Sequence, residues 1–262
     1  MIIAKNEFFI KSADKSLYCL FEKPDNSKNE LILLLHGLTN SHINCPLISE
    51  SAESLHLKGF PTFRFDYYGS GKSDGEFKDK TWEIMVQNTK DALIYAKTKL
   101  KYPKIGVWGR SLGAILGATI CDDPSVSASV FLSMTIHTNI SFSASFPKSQ
   151  SFSSPIKGTA IVKGEPILER GFYEKTTWID NLQKQHLSKA KNILIMQGTK
   201  DKTVYNPAWA KEIYDLVNEP KKLIYIKGAN HAYTGYENKA IENGINWFIN
   251  KYRLILLDKR LS

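Results

Sequence analysis

Short apolar runs recur along the chain and predict buried strands. They lack a clean alternation of apolar and polar residues, which is typical of parallel strands that are buried on both faces. The runs are Leu31–Leu35, Thr62–Phe65, Ile105–Trp108, Ala128–Leu132, Ile193–Met196 and Leu223–Ile226. Helical patterns separate them at Pro46–Lys58, Thr81–Leu100, Ser111–Cys121, Pro207–Val217 and Glu237–Lys251. This alternation predicts an α/β fold with a mostly parallel, doubly wound sheet.

Two parts of the chain depart from this pattern: its first residues and a long segment in its interior. Phe8–Ile10 and Leu17–Phe21 stand among polar residues and predict two antiparallel lead-in strands. Between residues 134 and 191 the alternation lapses, and Ser141–Ser154 is rich in Ser and Phe. A long irregular insertion is typical of a functional lid. Aromatic residues argue against disorder, and this segment contains Phe142, Phe146, Phe152, Phe172, Tyr173 and Trp178. We therefore predict a core of residues 1–133 and 192–262 with a cap insertion at 134–191; the alternative is an insertion that touches no ligand.

Size and charge restrict the classes of partner. At 262 residues the chain predicts one large domain. The net charge of +9 would suit nucleic acid, but the lysines are scattered singly or in pairs with no run of five. This pattern indicates a solvated surface and no nucleic-acid partner. Nothing in the sequence indicates the oligomeric state.

Cysteine content and the absence of long apolar runs in the sequence predict the compartment. Cys19, Cys45 and Cys121 are too few for a disulfide framework, which favours a reducing compartment. Polar residues interrupt the first ten positions, so no secretory signal is predicted. The longest apolar run, Leu31–Leu35, is far too short to span a membrane. We expect a cytoplasmic protein without membrane insertion.

A Gly-x-Ser-x-Gly motif, Gly109 to Gly113, follows an apolar run and precedes a helical pattern. A sharp strand-to-helix turn exposes one Ser hydroxyl, and its crowding leaves space only for Gly two positions before and after. The motif occurs a second time around Ser73, in a polar stretch with no apolar run before it, which predicts a loop. Ser111 is therefore the predicted nucleophile.

A serine nucleophile needs a base, and the base needs an orienting acid. Of six histidines, only His231 lies in a loop between the last apolar run and the last helix. Asp201 lies just past the run Ile193–Met196, so its carboxylate is expected beside that loop. Asp180 and Asp215 are weaker alternatives, because one lies in the predicted cap and the other in a helix. The catalytic prediction is Ser111, Asp201 and His231.

The oxyanion hole requires two N–H donors. The backbone N–H of Leu112, after the nucleophile, supplies one, and Leu38, in the loop after the first central strand, is predicted to supply the other. Gly37 allows the backbone to approach closely, and His36 is predicted to support this loop. No His/Cys set has zinc-ligand spacing, and no dinucleotide or phosphate loop follows the first strand. We expect no metal and no cofactor.

Five segments resemble the α/β-hydrolase superfamily, in order and at suitable intervals. They are His36–Thr39, Phe65–Gly75, Gly109–Gly113, Gly198–Asp201 and Asn230–His231. Within it, the chain resembles the small capped carboxylesterases of the feruloyl/cinnamoyl-esterase and monoacylglycerol-lipase-like group. The resemblance implies an α/β-hydrolase fold and an acyl-serine mechanism on esters, with the Leu38 and Leu112 amides as the oxyanion hole. Arg110 and Gly113-Ala114 depart from the His and Gly-Gly that many relatives have at these positions.

These observations predict a carboxylesterase-type serine hydrolase. Its partner is a small-molecule ester, and the aromatic cap predicts an apolar or aromatic moiety in that substrate. The alternatives are a thioesterase or acyltransferase with the same triad, or a non-catalytic ligand-binding protein of this fold. The residues that contact the substrate are not predicted.

Overall fold

Eight strands form the main sheet of the computed structural model, which describes residues 2–145, 159–162, 165–204, 206 and 208–261. The strands of this sheet are β1 (Ile3–Ser12), β2 (Lys15–Pro24), β3 (Leu31–Leu35), β4 (Thr62–Phe65), β5 (Ile105–Arg110), β6 (Val126–Leu132), β9 (Ile193–Gly198) and β10 (Lys221–Ile226). Their order is β1-β2-β4-β3-β5-β6-β9-β10. The first two pairings in this order are antiparallel and all later ones are parallel. The mostly parallel sheet that the apolar runs predict is confirmed.

Helices lie on both faces of this sheet. They are α1 (Pro46–Leu57), α2 (Trp82–Thr98), α3 (Leu112–Ala118), α4 (Thr138–Ser145), α5 (Arg170–Glu174), α6 (Thr176–Leu187), α7 (Trp209–Leu216) and α8 (Glu237–Leu261). Alternate residues of each central strand enter two separate cores: Leu33 of β3 lies in one, and Leu34 in the other. Burial on both faces explains why these strands are continuously apolar. Helices α2, α3, α6 and α7 cover the first face, and α1 and α8 cover the second.

The lead-in hairpin is longer than its apolar residues indicate. β1 and β2 pair over all ten residues of each strand, with Ala13 in the turn at φ 51°. β1 is the edge strand, and most of its side chains are exposed. Polar residues therefore occupy much of the strand, and a search for apolar runs finds only its centre.

Helix α3 is shorter than the predicted span Ser111–Cys121. Beyond Ala118 the amides of Thr119 and Ile120 bond to carbonyls three residues back, at 3.0 and 3.2 Å, which tightens the chain and ends the α-helix. Cys121, the predicted last residue of this helix, is buried but lies past the end of the helix.

The segment 134–191 contains α4, the hairpin of β7 (Thr159–Val162) and β8 (Glu165–Glu169), and the helices α5 and α6. The predicted cap residues Phe146 and Phe152 lie outside the described residues, as does the side chain of Phe142. Phe172 packs on Trp82 of α2, with ring centroids 4.4 Å apart, and its carbonyl accepts a hydrogen bond from the Trp82 indole at 2.9 Å. The division into core and cap stays a prediction.

Helix α3 crosses the ends of β3 and β5 so closely that Gly113 has no space for a side chain. A β-carbon on Gly113 would lie 2.1 Å from the carbonyl oxygen of Leu35. We expect Gly113→Ala to lower the free energy of unfolding by about 3 kcal/mol, since backbone has to move to make room. Urea denaturation followed by circular dichroism measures the change.

The matched control for this substitution is Gly171→Ala. A β-carbon on Gly171 meets no atom within 4 Å, and alanine is the better helix former. That variant should be at least as stable as the parent protein. Equal stability of Gly113→Ala and Gly171→Ala would contradict the close approach.

In the described part of the chain, no helix combines the length and the apolar character needed to cross a membrane.

Candidate active site

Ser111 stands alone between the end of β5 and the start of α3. Its backbone has φ 55° and ψ −121°, a conformation that costs a non-glycine residue energy. Its amide donates to the carbonyl of Leu132 in β6 at 2.8 Å, and its own carbonyl accepts from Ala114 in α3 at 2.9 Å. The turn is thus fixed by both the sheet and the helix, with the serine side chain at its apex.

The structure brings the three predicted side chains into one hydrogen-bonded chain. The Oγ of Ser111 lies 3.0 Å from Nε2 of His231. The Nδ1 of His231 lies 2.9 and 3.1 Å from the two carboxylate oxygens of Asp201. A carboxylate only accepts, so Nδ1 carries the proton and Nε2 is free to accept the proton of the serine hydroxyl. This is the arrangement that a general base requires.

Asp201 is almost completely buried, at 4% exposure, and is held by several donors. Its Oδ1 accepts from the amides of Thr203 and Val204, both at 2.9 Å. Its Oδ2 accepts from Oγ of Ser133 at 2.7 Å and from Nε2 of Gln197 at 3.2 Å. Burial by itself raises the pKa of this carboxyl, but the hydrogen bond from His231 and its other partners bring the pKa below the ordinary value. The carboxylate is therefore ionised, and its direction is fixed.

Ser133 and Tyr233 also belong to this site, although no sequence motif marks them. Ser133 directly follows β6, at φ 50°, and its amide donates to the Met196 carbonyl at 3.0 Å. The Tyr233 hydroxyl is buried and donates to the same carbonyl at 2.9 Å. Both side chains fix the surroundings of Asp201. The position of Ser133, directly after a buried strand, was the available signal.

The loop of Leu38 is held by His36, which is completely buried. The amide of Tyr67 donates to Nε2 of His36 at 3.3 Å, so the ring proton is on Nδ1, which donates to the Gly37 carbonyl at 2.7 Å. Burial lowers the pKa of His36 to about 4, so the ring is neutral at neutral pH. His36 positions the loop, and it is not available as a base because both of its ring nitrogens are engaged in other hydrogen bonds.

The residues predicted to supply the oxyanion donors are Leu38, in the loop after β3, and Leu112, next to Ser111 in the chain. Leu38 lines the same cavity as Ser111 and His231. Leu112 is the first residue of α3, where the helix offers its amide no partner. Their role as donors to a negatively charged oxygen stays a prediction.

Ser73, the centre of the second motif, has a structural role. Its hydroxyl donates to the Asp66 carbonyl at 2.6 Å and accepts from the amide of Tyr18 at 2.9 Å. The buried His42 ring bonds to the Asp66 carboxylate at 2.7 Å. These contacts tie the loop after β4 to the hairpin and the loop after β3.

The other histidines and aspartates considered above bond to groups away from Ser111. The pairs are His56 with Thr62, His137 with Glu212, His186 with Asp122, Asp180 with Thr138, and Asp215 with Lys211. Among the described residues, no three His, Cys, Asp or Glu side chains are grouped so that they could hold a metal ion.

A cavity of about 250 Å³ opens over Ser111. Its described walls combine apolar side chains with hydroxyl groups and one guanidinium; they are Leu38, Thr39, Asn40, Arg110, Ile115, Ser133, Thr135, Ser141, Thr203, Val204 and His231. Thr135 and Ser141 come from the predicted cap segment. Its described aromatic residues Phe172, Tyr173 and Trp178 are not part of these walls.

Arg110 connects the two loops on either side of Ser111. Its Nη1 donates to Oδ1 of Asn40 at 3.2 Å, and its Nη2 donates to the carbonyl of His231 at 3.1 Å. The loop that contains Leu38 and Asn40 and the loop of His231 are therefore held by one side chain, next to Ser111 in the chain. The guanidinium also makes this part of the cavity positive.

Comparisons with known proteins agree with this architecture. The solved structure of Est1E from Butyrivibrio proteoclasticus with ferulic acid bound is 21% identical, with a TM-score of 0.77, over 94% of this chain and 99% of that one. The esterase domain of a Rhodothermus marinus protein is 16% identical, with a TM-score of 0.69, over 96% and 99% of the two chains. The Pyrococcus furiosus esterase Pf2001 is 17% identical, with a TM-score of 0.71, over 95% and 93%. At these identities, the three structures establish the fold.

A sequence relative and a family model add to this result. An uncharacterized 31.7 kDa Escherichia coli protein from the traX-finO intergenic region is 33% identical over 96 residues, which are 36% of this chain and 33% of that protein. The match thus spans about a third of the relative. The model of the family described as "Serine aminopeptidase, S33" matches residues 26–166, more than half of the chain. With its α/β-hydrolase fold, the chain therefore belongs to the S33 serine aminopeptidase family.

Proposed function

We propose that this protein is a serine hydrolase that cleaves carboxylic esters through an acyl-serine intermediate. The observation that carries the proposal is the hydrogen-bonded chain from Ser111 through His231 to Asp201, at the floor of a cavity. A serine hydroxyl is a weak nucleophile at neutral pH, and this arrangement is the means by which proteins activate it.

The proposed reaction has two stages. As Ser111 Oγ attacks the ester carbonyl carbon, His231 Nε2 takes the hydroxyl proton, and the carbonyl oxygen becomes negative. Collapse of this tetrahedral intermediate breaks the bond to the alcohol, which receives that proton from His231. Water then attacks the acyl-serine, with His231 again taking and returning a proton. Asp201 stabilises the imidazolium in both stages.

The Leu38 and Leu112 amides are the proposed donors to the negative oxygen. A preorganised donor of this kind contributes roughly 10²- to 10³-fold to kcat. The loop of Leu38 is fixed by His36, and Leu112 is fixed by the helix that it begins. Both donors are thus in place before substrate binds.

Charge in the cavity favours an ester over a peptide substrate. An aminopeptidase substrate carries a terminal ammonium group, which a carboxylate would have to neutralise. None of the described lining residues is Asp or Glu, whereas Arg110 is a cation. Two of the structural neighbours, the Rhodothermus marinus domain and Pf2001, are named as an esterase domain and an esterase, which supports the same choice.

The proposed substrate carries an apolar or aromatic moiety. Leu38, Ile115 and Val204 give the cavity apolar walls, and the Butyrivibrio structure holds ferulic acid, which has an aromatic ring. We also propose that the protein works in the cytoplasm, since Cys19, Cys45 and Cys121 are buried, unpaired thiols.

Turnover of matched substrates tests this function. p-Nitrophenyl esters of straight-chain acids and of an aromatic acid should be hydrolysed, with kcat/KM above that of the corresponding thioesters and of aminoacyl p-nitroanilides. A fluorophosphonate probe should add one label, which peptide mass spectrometry locates on Ser111. Faster cleavage of thioesters or anilides would reassign the reaction, and the absence of both labelling and turnover would favour a non-catalytic binding protein.

A further inference from the structure

Lys80 is a buried lysine close to the proposed oxyanion hole. Its side chain has no exposed surface, although it carries an ionisable amine. Nζ donates to the carbonyl of Leu38 at 3.0 Å and to the hydroxyl of Ser70 at 2.6 Å, and it lies 4.2 Å from the centre of the Phe77 ring. Among the described residues, no carboxylate lies within ion-pair distance of this nitrogen.

Burying this amine has an energetic cost. Burial lowers the pKa of Lys80 to about 7, and the charge of Asp66 only partly opposes this effect. If this side chain only filled space, the protein would be more stable with an apolar residue of similar length in its place. The fold nevertheless accommodates it, because residue 69, at φ 72°, is glycine: a β-carbon there would lie 3.2 Å from Cγ of Lys80 and 2.4 Å from the Glu76 carbonyl oxygen.

Lys80 contacts Leu38, the residue whose amide is a proposed oxyanion donor. His36 holds the carbonyl of Gly37, and Lys80 holds the next carbonyl, that of Leu38. Two consecutive carbonyls are therefore anchored in the protein interior, one on each side of the Leu38 residue. The Leu38 N–H lies in the same peptide plane as the Gly37 carbonyl, and Lys80 holds the following plane, so the backbone of Leu38 is fixed on both sides of its Cα atom.

We infer that Lys80 is a positioning residue that aims the Leu38 amide at the reacting oxygen. It does not touch the substrate and acts through the backbone of the oxyanion loop. This inference rests on the proposed function and adds to it a residue that comes from the distant loop after β4. Either the ammonium or the neutral amine can donate the hydrogen bond.

The test is Lys80→Met, which keeps the length of the side chain and removes the donor. We expect kcat for a p-nitrophenyl ester to fall about 10- to 100-fold, the effect of a small misplacement of a reacting group, with KM little changed. The melting temperature should change little, because relief of the buried amine offsets the loss of the donor to the Leu38 carbonyl and the Ser70 hydroxyl. Lys78→Met, the same substitution two residues away on a half-buried side chain that is ion-paired with Glu76, should leave kcat unchanged.

The affinity for a trifluoromethyl ketone inhibitor is a measurement that a purely structural role of Lys80 would leave unchanged. Such a ketone adds the serine hydroxyl and forms an oxyanion, so its affinity should weaken in Lys80→Met by the same factor as kcat/KM. An unchanged kcat, an unchanged inhibitor affinity, or a fall in activity together with the melting temperature would overturn the inference. An inactive parent protein would instead refute the proposed function, so the two failures are distinguishable.

Discussion

Replacing Ser111 with alanine is expected to lower kcat for an ester at least about 10³-fold, because the attacking oxygen is lost. The fold should remain intact, since the serine side chain has His231 as its hydrogen-bond partner and the turn is held by backbone contacts. Steady-state kinetics with a p-nitrophenyl ester measures the loss, and circular dichroism checks the fold.

Ser73→Ala is the matched control, because Ser73 is the centre of the other Gly-x-Ser-x-Gly sequence. Its hydroxyl bonds to Asp66 and Tyr18, so its removal should cost about 1 kcal/mol of stability and little activity. Full turnover by Ser111→Ala, or loss of activity only in Ser73→Ala, would refute the assignment of the nucleophile.

Asp201→Asn is expected to lower kcat about 10³- to 10⁴-fold, with the overall fold retained. The amides of Thr203 and Val204 require an acceptor, so the asparagine oxygen should face them and its NH₂ group should face His231. The NH₂ group would then donate to Nδ1, which moves the ring proton to Nε2. A protonated Nε2 cannot accept the proton of Ser111.

The control for this variant is Asp122→Asn. Asp122 also bonds to Nδ1 of a histidine, His186, at 2.6 Å, but it is not part of the described cavity walls. Its activity should match that of the parent protein, measured with the same ester. If Asp201→Asn kept more than about a tenth of the parent kcat, the proposed role of the carboxylate in fixing the imidazole would be wrong.

The sequence predicted the fold and the three side chains that the structure joins in one hydrogen-bonded chain, because both depend on the ends of parallel strands. Ser111, Asp201 and His231 each follow an apolar run, and such runs end at the same edge of a parallel sheet. Short motifs mark these positions, so no knowledge of side-chain packing was needed to find them.

Residues that act through packing were not accessible in this way. Lys80 reaches Leu38 only because the loop after β4 folds back, and neither its spacing nor its neighbours in the sequence indicate this. Arg110 was noted as a departure from relatives, but its two bonds depend on the positions of two other loops. The predicted helix at Ser111–Cys121 was too long because the tightening beyond Ala118 is set by local hydrogen bonds that apolar periodicity does not report.

The backbone of Ser111 has a consequence for how this protein changes under selection. A positive φ at a non-glycine residue costs of order 1–3 kcal/mol, and glycine would relieve it. A library of variants screened only for thermal stability would therefore enrich glycine at position 111. These variants would be more heat-stable but would no longer turn over substrate. At this residue, a gain in thermal stability comes with a loss of the nucleophile, so such a screen has to be coupled to an assay of turnover.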